Sequence, residues 1–271
     1  QNGEAMKVSG VTMVILVLNM LIGIAIPLGL AIFFRKKYRC PPVPFWAGCG
    51  VMFLSAFVLE QIVHTVVLSS PAGNLIRGNF WLMALYGGVM AGLFEETGRL
   101  LGMKFLLKKY HDNDDNALMY GAGHGGFEAF YLLFFTMLNN LIYAVLINSG
   151  QAEVLINGQG GSTGEALQAA FESLATLSPA VFLLSPVERL AAVLAQLALS
   201  VIVWQAAKEG GHIGWYFLAI LLHFLLDAAA AILNGLGVPA VGIEVVVWII
   251  AICYGLLAVK IRKNNRKQEN N

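Results

Sequence analysis

Charge is what this chain has least of. Only 12% of its 271 residues are Asp, Glu, Lys or Arg, half the share of about 25% usual in a soluble domain. With 58% hydrophobic residues and a mean hydropathy of +0.72, it has too little polar material to cover a wet surface. Cysteine is scarce too. Cys40, Cys49 and Cys253 lie far apart and form no CxxC pair, which speaks against a disulfide framework and against a thiolate metal site. A net charge of +1, without a basic patch interleaved with aromatics, gives no case for nucleic acid. No HExxH occurs, so a zincin-type metalloprotease is not supported, and no serine or cysteine stands beside a base as a nucleophile would. No cleavable signal peptide is expected, and Gln1 to Ala5, ahead of Met6, read as a vector-derived remnant.

The rest is apolar helix. A spanning helix needs about 20 apolar residues, and seven segments qualify, roughly 10–34, 44–69, 80–108, 116–147, 179–206, 214–234 and 239–260. The fold class is therefore all-α, a polytopic transmembrane bundle of about seven spans in one integral membrane domain over 6–271. Segment 116–147 is long for one crossing, which implies tilt. One set of loops holds 13 of the 17 basic residues, from Arg35 to Lys267, and the other set only Lys7 and Arg77, with Arg99 and Arg189 inside spans. The positive-inside rule then puts the N-terminus outside and the C-terminus in the cytoplasm, and the expected location is a bacterial cytoplasmic membrane. Segment 148–178 has no Lys or Arg; it reads as an extracytoplasmic loop with a short surface helix, serving as connector or lid. No internal repeat is visible, which weakens an inverted-repeat transporter.

Three spans break the apolar rule at a similar depth. Glu95-Glu96-Thr97-Gly98-Arg99 sits inside the third, Tyr120 to Glu128 opens the fourth with His124 at its centre, and His223 and Asp227 lie in the sixth. Each charged side chain at the centre of a span is unfavourable by roughly 2.5–3.5 kcal/mol, so such groups face a protein interior or a wet cavity. At about 1.5 Å per residue, all three groups lie between the cytoplasmic half and the middle of the bilayer. Arg99 is one helical turn from both Glu95 and Glu96, and Tyr120, His124 and Glu128 follow each other at i, i+4, as do His223 and Asp227. Glycines crowd these places, either for close helix approach or to admit a substrate backbone. A second group nearer the outer face, Glu60, His64, Glu188 and Arg189, reads as structural buried charge, with Glu60–Arg189 as an expected ion pair. Glu244 is expected to be solvated.

Peptide hydrolysis needs a water, a base to activate it, donors for the oxyanion and an acid for the leaving amine. Glu95 or Glu96, kept ionised by Arg99, can be the base; His124 and His223 can donate to an oxyanion or hold the water; Asp227 can orient His223 or contact the water itself. Glu95, His124, Glu128, His223 and Asp227 also have residue types that zinc or another divalent ion accepts. Their spacing matches no known zinc motif, and no metal or other cofactor is expected.

Glu95-Glu96-x-x-Arg99, Tyr120-x-x-x-His124 and His223-x-x-x-Asp227 together resemble the motif set of glutamic-type intramembrane proteases. That superfamily includes the CAAX prenyl endopeptidases, the CPBP proteins, the PrsW proteases and the gamma-secretase subunit APH-1. The wording Glu-Glu-Thr-Gly-Arg and Gly-His-Gly-Gly-Phe-Glu is most similar to its YhfC-like branch, over about residues 45–235. The resemblance implies Glu95 as the water-activating base with Glu96 and Arg99 in support, His124 and His223 as water-positioning or oxyanion groups, and Tyr120 and Glu128 behind them. Three departures stand out: two residues instead of three between Glu96 and Arg99, Tyr120 where Phe is usual, and Asp227 where the CAAX group has Asn, which makes Asp227 an orienter rather than an oxyanion donor. The implied activity is endopeptidase action on a membrane-bound or lipid-modified peptide near the cytoplasmic leaflet, with membrane lipid as the surrounding partner. The alternatives are a proton- or cation-coupled transporter or channel, and a catalytically silent membrane scaffold.

Overall fold

The computed structural model describes residues 6–269, and every regular element among them is helical. The expected remnant at 1–5 lies outside the described residues. In chain order the helices are α1 (Gly10–Tyr38), α2 (Val43–Leu68, with a π-helical turn at Phe53–Leu59), α3 (Pro71–Arg77), α4 (Phe80–Leu101), α5 (Asn116–Asn148, with a π-helical turn at Tyr131–Phe135), α6 (Ala152–Gln159), α7 (Gly161–Thr176), α8 (Pro179–Ala207), α9 (Gly214–Gly235) and α10 (Ala240–Glu269).

Six of these, α1, α2, α5, α8, α9 and α10, are long and apolar enough to cross a membrane. The expected seventh span, α4, is helical and 22 residues long, or about 33 Å. Glu95, Glu96 and Arg99 in its last two turns lower its apolarity below that of the other six, and the helix compensates by burying all three against protein. The chain is an integral membrane protein. Polar residues fix the helix ends. The Asn79 side chain accepts from the Trp81 and Leu82 amides to start α4, and Ser70 accepts from the Gly73 amide to start α3, satisfying donors that a first turn leaves free.

The chain divides into two compact units. One runs through Ile26 and then Ala129–Val187. Its core joins Leu16, Leu133, Met137, Phe171 and Phe182, and Asn19 donates to the Phe182 carbonyl at 2.7 Å. The expected loop with one surface helix is two helices, α6 and α7, because the face of α7 that carries Phe171 and Leu174 is fully apolar and buries itself, Phe171 meeting Tyr143 edge-on at 4.9 Å between ring centres.

The other unit, Pro27–Glu128 with Glu188 onward, holds every candidate site residue. Its glycines are contact points. A Cβ on Gly121 or Gly125 of α5 would meet Ser200 Oγ at 2.8 Å or Gln196 Cβ at 2.7 Å on α8, and one on Gly123 would collide with the Phe45 carbonyl of α2. On α4, Gly88 and Gly92 leave only 3.0 Å to the Phe224 and Ile220 carbonyls of α9. Close helix approach, the first of the two readings of these glycines, is thus what they provide. At the basic end of the unit, Asp114 accepts from Trp204 Nε1 at 2.7 Å and from Lys208 at 3.0 Å, and Asp115 pairs with Arg262 and Arg266. This ties the turn before α5 to α8 and α10.

Candidate active site

The two adjacent glutamates of α4 have separate surroundings. Glu96 is fully buried and paired with Arg99, whose Nε lies 2.9 Å from Glu96 Oε2. Arg99, also fully buried, donates further to the Gln196 carbonyl at 2.9 Å, to the Gln196 side chain and to Ser200 Oγ. The guanidinium therefore chooses Glu96 over Glu95 and fixes α4 to α8. Glu96 Oε1 holds His223 Nδ1 at 2.6 Å. A carboxylate that is ion-paired can only accept, so Nδ1 carries a hydrogen and Nε2 is left for chemistry. Glu96 thus holds His223 through Nδ1, and Asp227 stands on the opposite side of the ring, with Oδ2 3.5 Å from Nε2.

Glu95 faces the cavity instead. Its Oε2 accepts from Gln196 Nε2 at 2.9 Å and meets His124 Nε2 at 3.2 Å, while Oε1 lies 3.8 Å from His223 Nε2. The first two contacts fix the carboxylate. The third is too long for a direct hydrogen bond, and a water or a substrate oxygen bound to Oε1 would also reach the imidazole. The cavity, about 140 Å³, is lined by Glu95, Gln196, His223, Asp227 and Glu128 and continues past Arg189, Glu188 and Glu244. On the side of Lys104 and Lys108, a fully buried apolar layer of Met103, Leu107, Met119, Ile202 and Trp204 packs beneath it.

All six residues expected in the reacting group, Glu95, Glu96, Arg99, His124, His223 and Asp227, come together. Tyr120 stacks on His124 at 5.8 Å, its hydroxyl buried without a hydrogen-bond partner. Glu128 is closer to the centre than expected, because it accepts from Arg189 at 2.8 Å and from Gln196 at 3.1 Å and lines the cavity with Glu95. The expected Glu60–Arg189 pair is not formed. Arg189 is taken by Glu128 and Glu188, while buried Glu60 binds His64 at 3.1 Å, which binds Tyr86 at 2.9 Å. Glu244 is not an open surface group, since its Oε2 is shielded and unpartnered at the cavity wall.

Sequence reasoning missed Gln196 and Ser200. They are uncharged, so no cost argument picks them out, yet their i, i+4 spacing in the most deeply buried candidate span marks one polar face. Gln196 is the hub of the site, donating to both Glu95 and Glu128 and accepting from Arg99.

With this geometry in view, the comparisons with known proteins agree on one family. Residues 22–251 match a family described as YhfC intramembrane metalloprotease. A Bacillus subtilis (strain 168) protein described as uncharacterized membrane protein YhfC is 33% identical over 259 residues, covering 94% of this chain and 98% of that protein. No solved structure matches.

The family description implies a metal ion. His124, His223, Glu95 and Asp227 supply suitable donor types, but no group of three or more His, Cys, Asp or Glu among the described residues gathers in metal-holding geometry. Glu95 Oε2 already takes Gln196 and His124. His124 Nδ1, the atom a ligating imidazole normally anchors on a second partner, is buried without one. As placed, these residues do not fit a metal, and no step is derived through one.

Proposed function

The chain belongs to the YhfC family, and from that premise we propose that it is an intramembrane endopeptidase in which Glu95 activates the water that hydrolyses a peptide bond. The observation that carries this reading is the division between the two glutamates: Glu96 is sequestered by Arg99, and Glu95 faces the cavity 3.8 Å from His223 Nε2.

Glu95 Oε1 takes a proton from water as the water oxygen bonds to the carbonyl carbon of the scissile peptide. His223, as an imidazolium held through Nδ1 by Glu96 and faced at Nε2 by the Glu95 and Asp227 carboxylates, donates from Nε2 to the oxyanion that forms. The protonated Glu95 then gives its proton to the departing nitrogen as the C–N bond breaks, leaving a carboxylic acid and an amine and returning Glu95 to its carboxylate. His124 and Gln196 keep the Glu95 carboxylate in one orientation throughout, so that no reorganisation is needed at the moment of reaction. Asp227, 3.5 Å from His223 Nε2, stabilises the imidazole proton. The substrate class is a membrane-bound or lipid-linked peptide, since a soluble chain has no reason to reach groups placed this deep.

The test is cleavage of quenched peptides, with and without lipid anchors, by the purified protein in liposomes beside Glu95→Gln and His223→Ala, each with and without chelator. Cleavage lost in both variants and indifferent to chelator supports the reading. Equal cleavage by wild type and Glu95→Gln removes it, and chelator-sensitive cleavage transfers the water's activation to a metal.

A further inference from the structure

Within the unit that holds the site, basic residues mark one end. Arg35 to Arg39, Lys104 to Lys109, Lys208 and Lys260 to Lys267 cluster where α1, α4, α8 and α10 end and α2, α5 and α9 begin, and Arg77 alone stands at the opposite end. The cavity has a direction relative to these ends. From the level of Glu95 and His223 its walls run along α8 from Leu199 to Glu188, along α9 from His223 to Ala230 and along α10 from Val247 to Ile243. All three paths lead away from the basic end, and the last reaches within three residues of the start of α10.

Exposure rises in the same direction. The side chains of His223 and Glu95 are 5% and 9% exposed, and those of Asp227 and Glu188 are 40% and 48%. Toward the basic end the way is filled by the apolar layer of Met103, Leu107, Met119, Ile202 and Trp204. Ionisable groups as numerous as Glu128, Glu188, Arg189 and Glu244 along one wall also require water there, because each would be costly against lipid.

We infer that the catalytic cavity is entered from the end opposite the basic loops, so that the peptide it receives is presented on the extracytoplasmic side of the membrane. This rests on the endopeptidase reading for its substrate, and puts the entrance on the side away from the cytoplasmic leaflet near which the reaction is expected from the sequence. The charges at Glu188, Arg189 and Glu244, read from sequence as structural or solvated, become the wall of the entrance.

The test is single-cysteine accessibility in the full chain. Cys49 and Cys253 are replaced by Ser. Cys40 stays, since it is buried and burial pushes its thiol up to about 11, which keeps it silent near neutral pH. Ala230→Cys and Ile243→Cys report the cavity wall, and Lys208→Cys reports the basic end. Each is treated with a membrane-impermeant methanethiosulfonate in intact cells and in inverted vesicles. The expected result is loss of free thiol at positions 230 and 243 in intact cells and at 208 only in inverted vesicles. Labelling at 230 and 243 only from inverted vesicles, or at 208 in intact cells, overturns the inference. Because labelling needs no catalysis, outer-face labelling without any cleavage leaves the access route standing while the endopeptidase reading fails. Cleavage by a protein labelled at 230 and 243 only from the cytoplasmic face does the reverse.

Discussion

Glu96 and His223, 127 residues apart in sequence, meet at 2.6 Å between Oε1 and Nδ1. This contact joins α4 to α9 and fixes the orientation of the His223 ring, while Arg99 holds the same carboxylate from the other side. On the proposed reading, one glutamate therefore sets up the site so that its neighbour can react.

Glu95→Gln and Glu96→Gln should differ in kind. The first should lower peptide cleavage by about 10²–10⁴-fold, the usual worth of a positioned general base, with little change in thermal stability, because the amide keeps contact with Gln196 and His124. The second should lower both, since removing one partner from a buried ion pair costs about 3–5 kcal/mol. Melting in detergent run beside a cleavage assay checks this, and equal melting points for the two variants would count against the assigned roles.

Arg99→Lys should behave as a disruptive change. A lysine carries one point charge and cannot span Glu96, the Gln196 carbonyl, the Gln196 side chain and Ser200 together. The expected outcome is loss of folded protein comparable to Arg99→Ala, read as the monodisperse fraction on size exclusion. Wild-type behaviour of Arg99→Lys would show that charge alone suffices.

Gln196→Leu should leave Glu95 and Glu128 each short of a donor, at about 1–3 kcal/mol for every buried group left unsatisfied. Cleavage should fall with it, whereas Ser200→Ala, which removes one hydroxyl from the Arg99 cradle, should be mild. A ranking of kcat in which Ser200→Ala is the worse of the two would contradict the place of Gln196 as the hub.

Gly121→Leu should separate α5 from α8. Its Cβ alone would stand 2.8 Å from Ser200 Oγ and 3.1 Å from the Leu197 backbone, and overpacking of this kind costs about 1–3 kcal/mol or more. Gly87→Leu, on α4 with open space around the position, is the control, expected to melt as wild type does.

Much of this arrangement was legible because charge in an apolar chain is conspicuous. Glu95, Glu96, Arg99, His124, His223 and Asp227 could be named from cost and spacing, and depth counted along each helix brought them to one level. The partners could not be named the same way. Gln196 and Ser200 carry no charge, and α8 holds them at positions that resemble ordinary packing until α4 is laid against it. Two spans that both carry charge near one face look like neighbours in sequence, which predicts Glu60 as the partner of Arg189. Only the packed helices show Glu128 nearer. The seventh span illustrates the converse: the residues that identify the site are the ones that make α4 too polar to stand among the clearly apolar helices.

The apolar layer below the site has a consequence for the cell that houses it. A pocket wet enough to hold a reacting water is also a conductor, and in an energised membrane each proton crossing it would dissipate about 2.3 kcal/mol per 100 mV. Met103, Leu107, Met119, Ile202 and Trp204 make the pocket a blind well instead of a pipe. On the proposed reading, the protein can keep water at Glu95 for hydrolysis and still insulate the gradient on which its host lives.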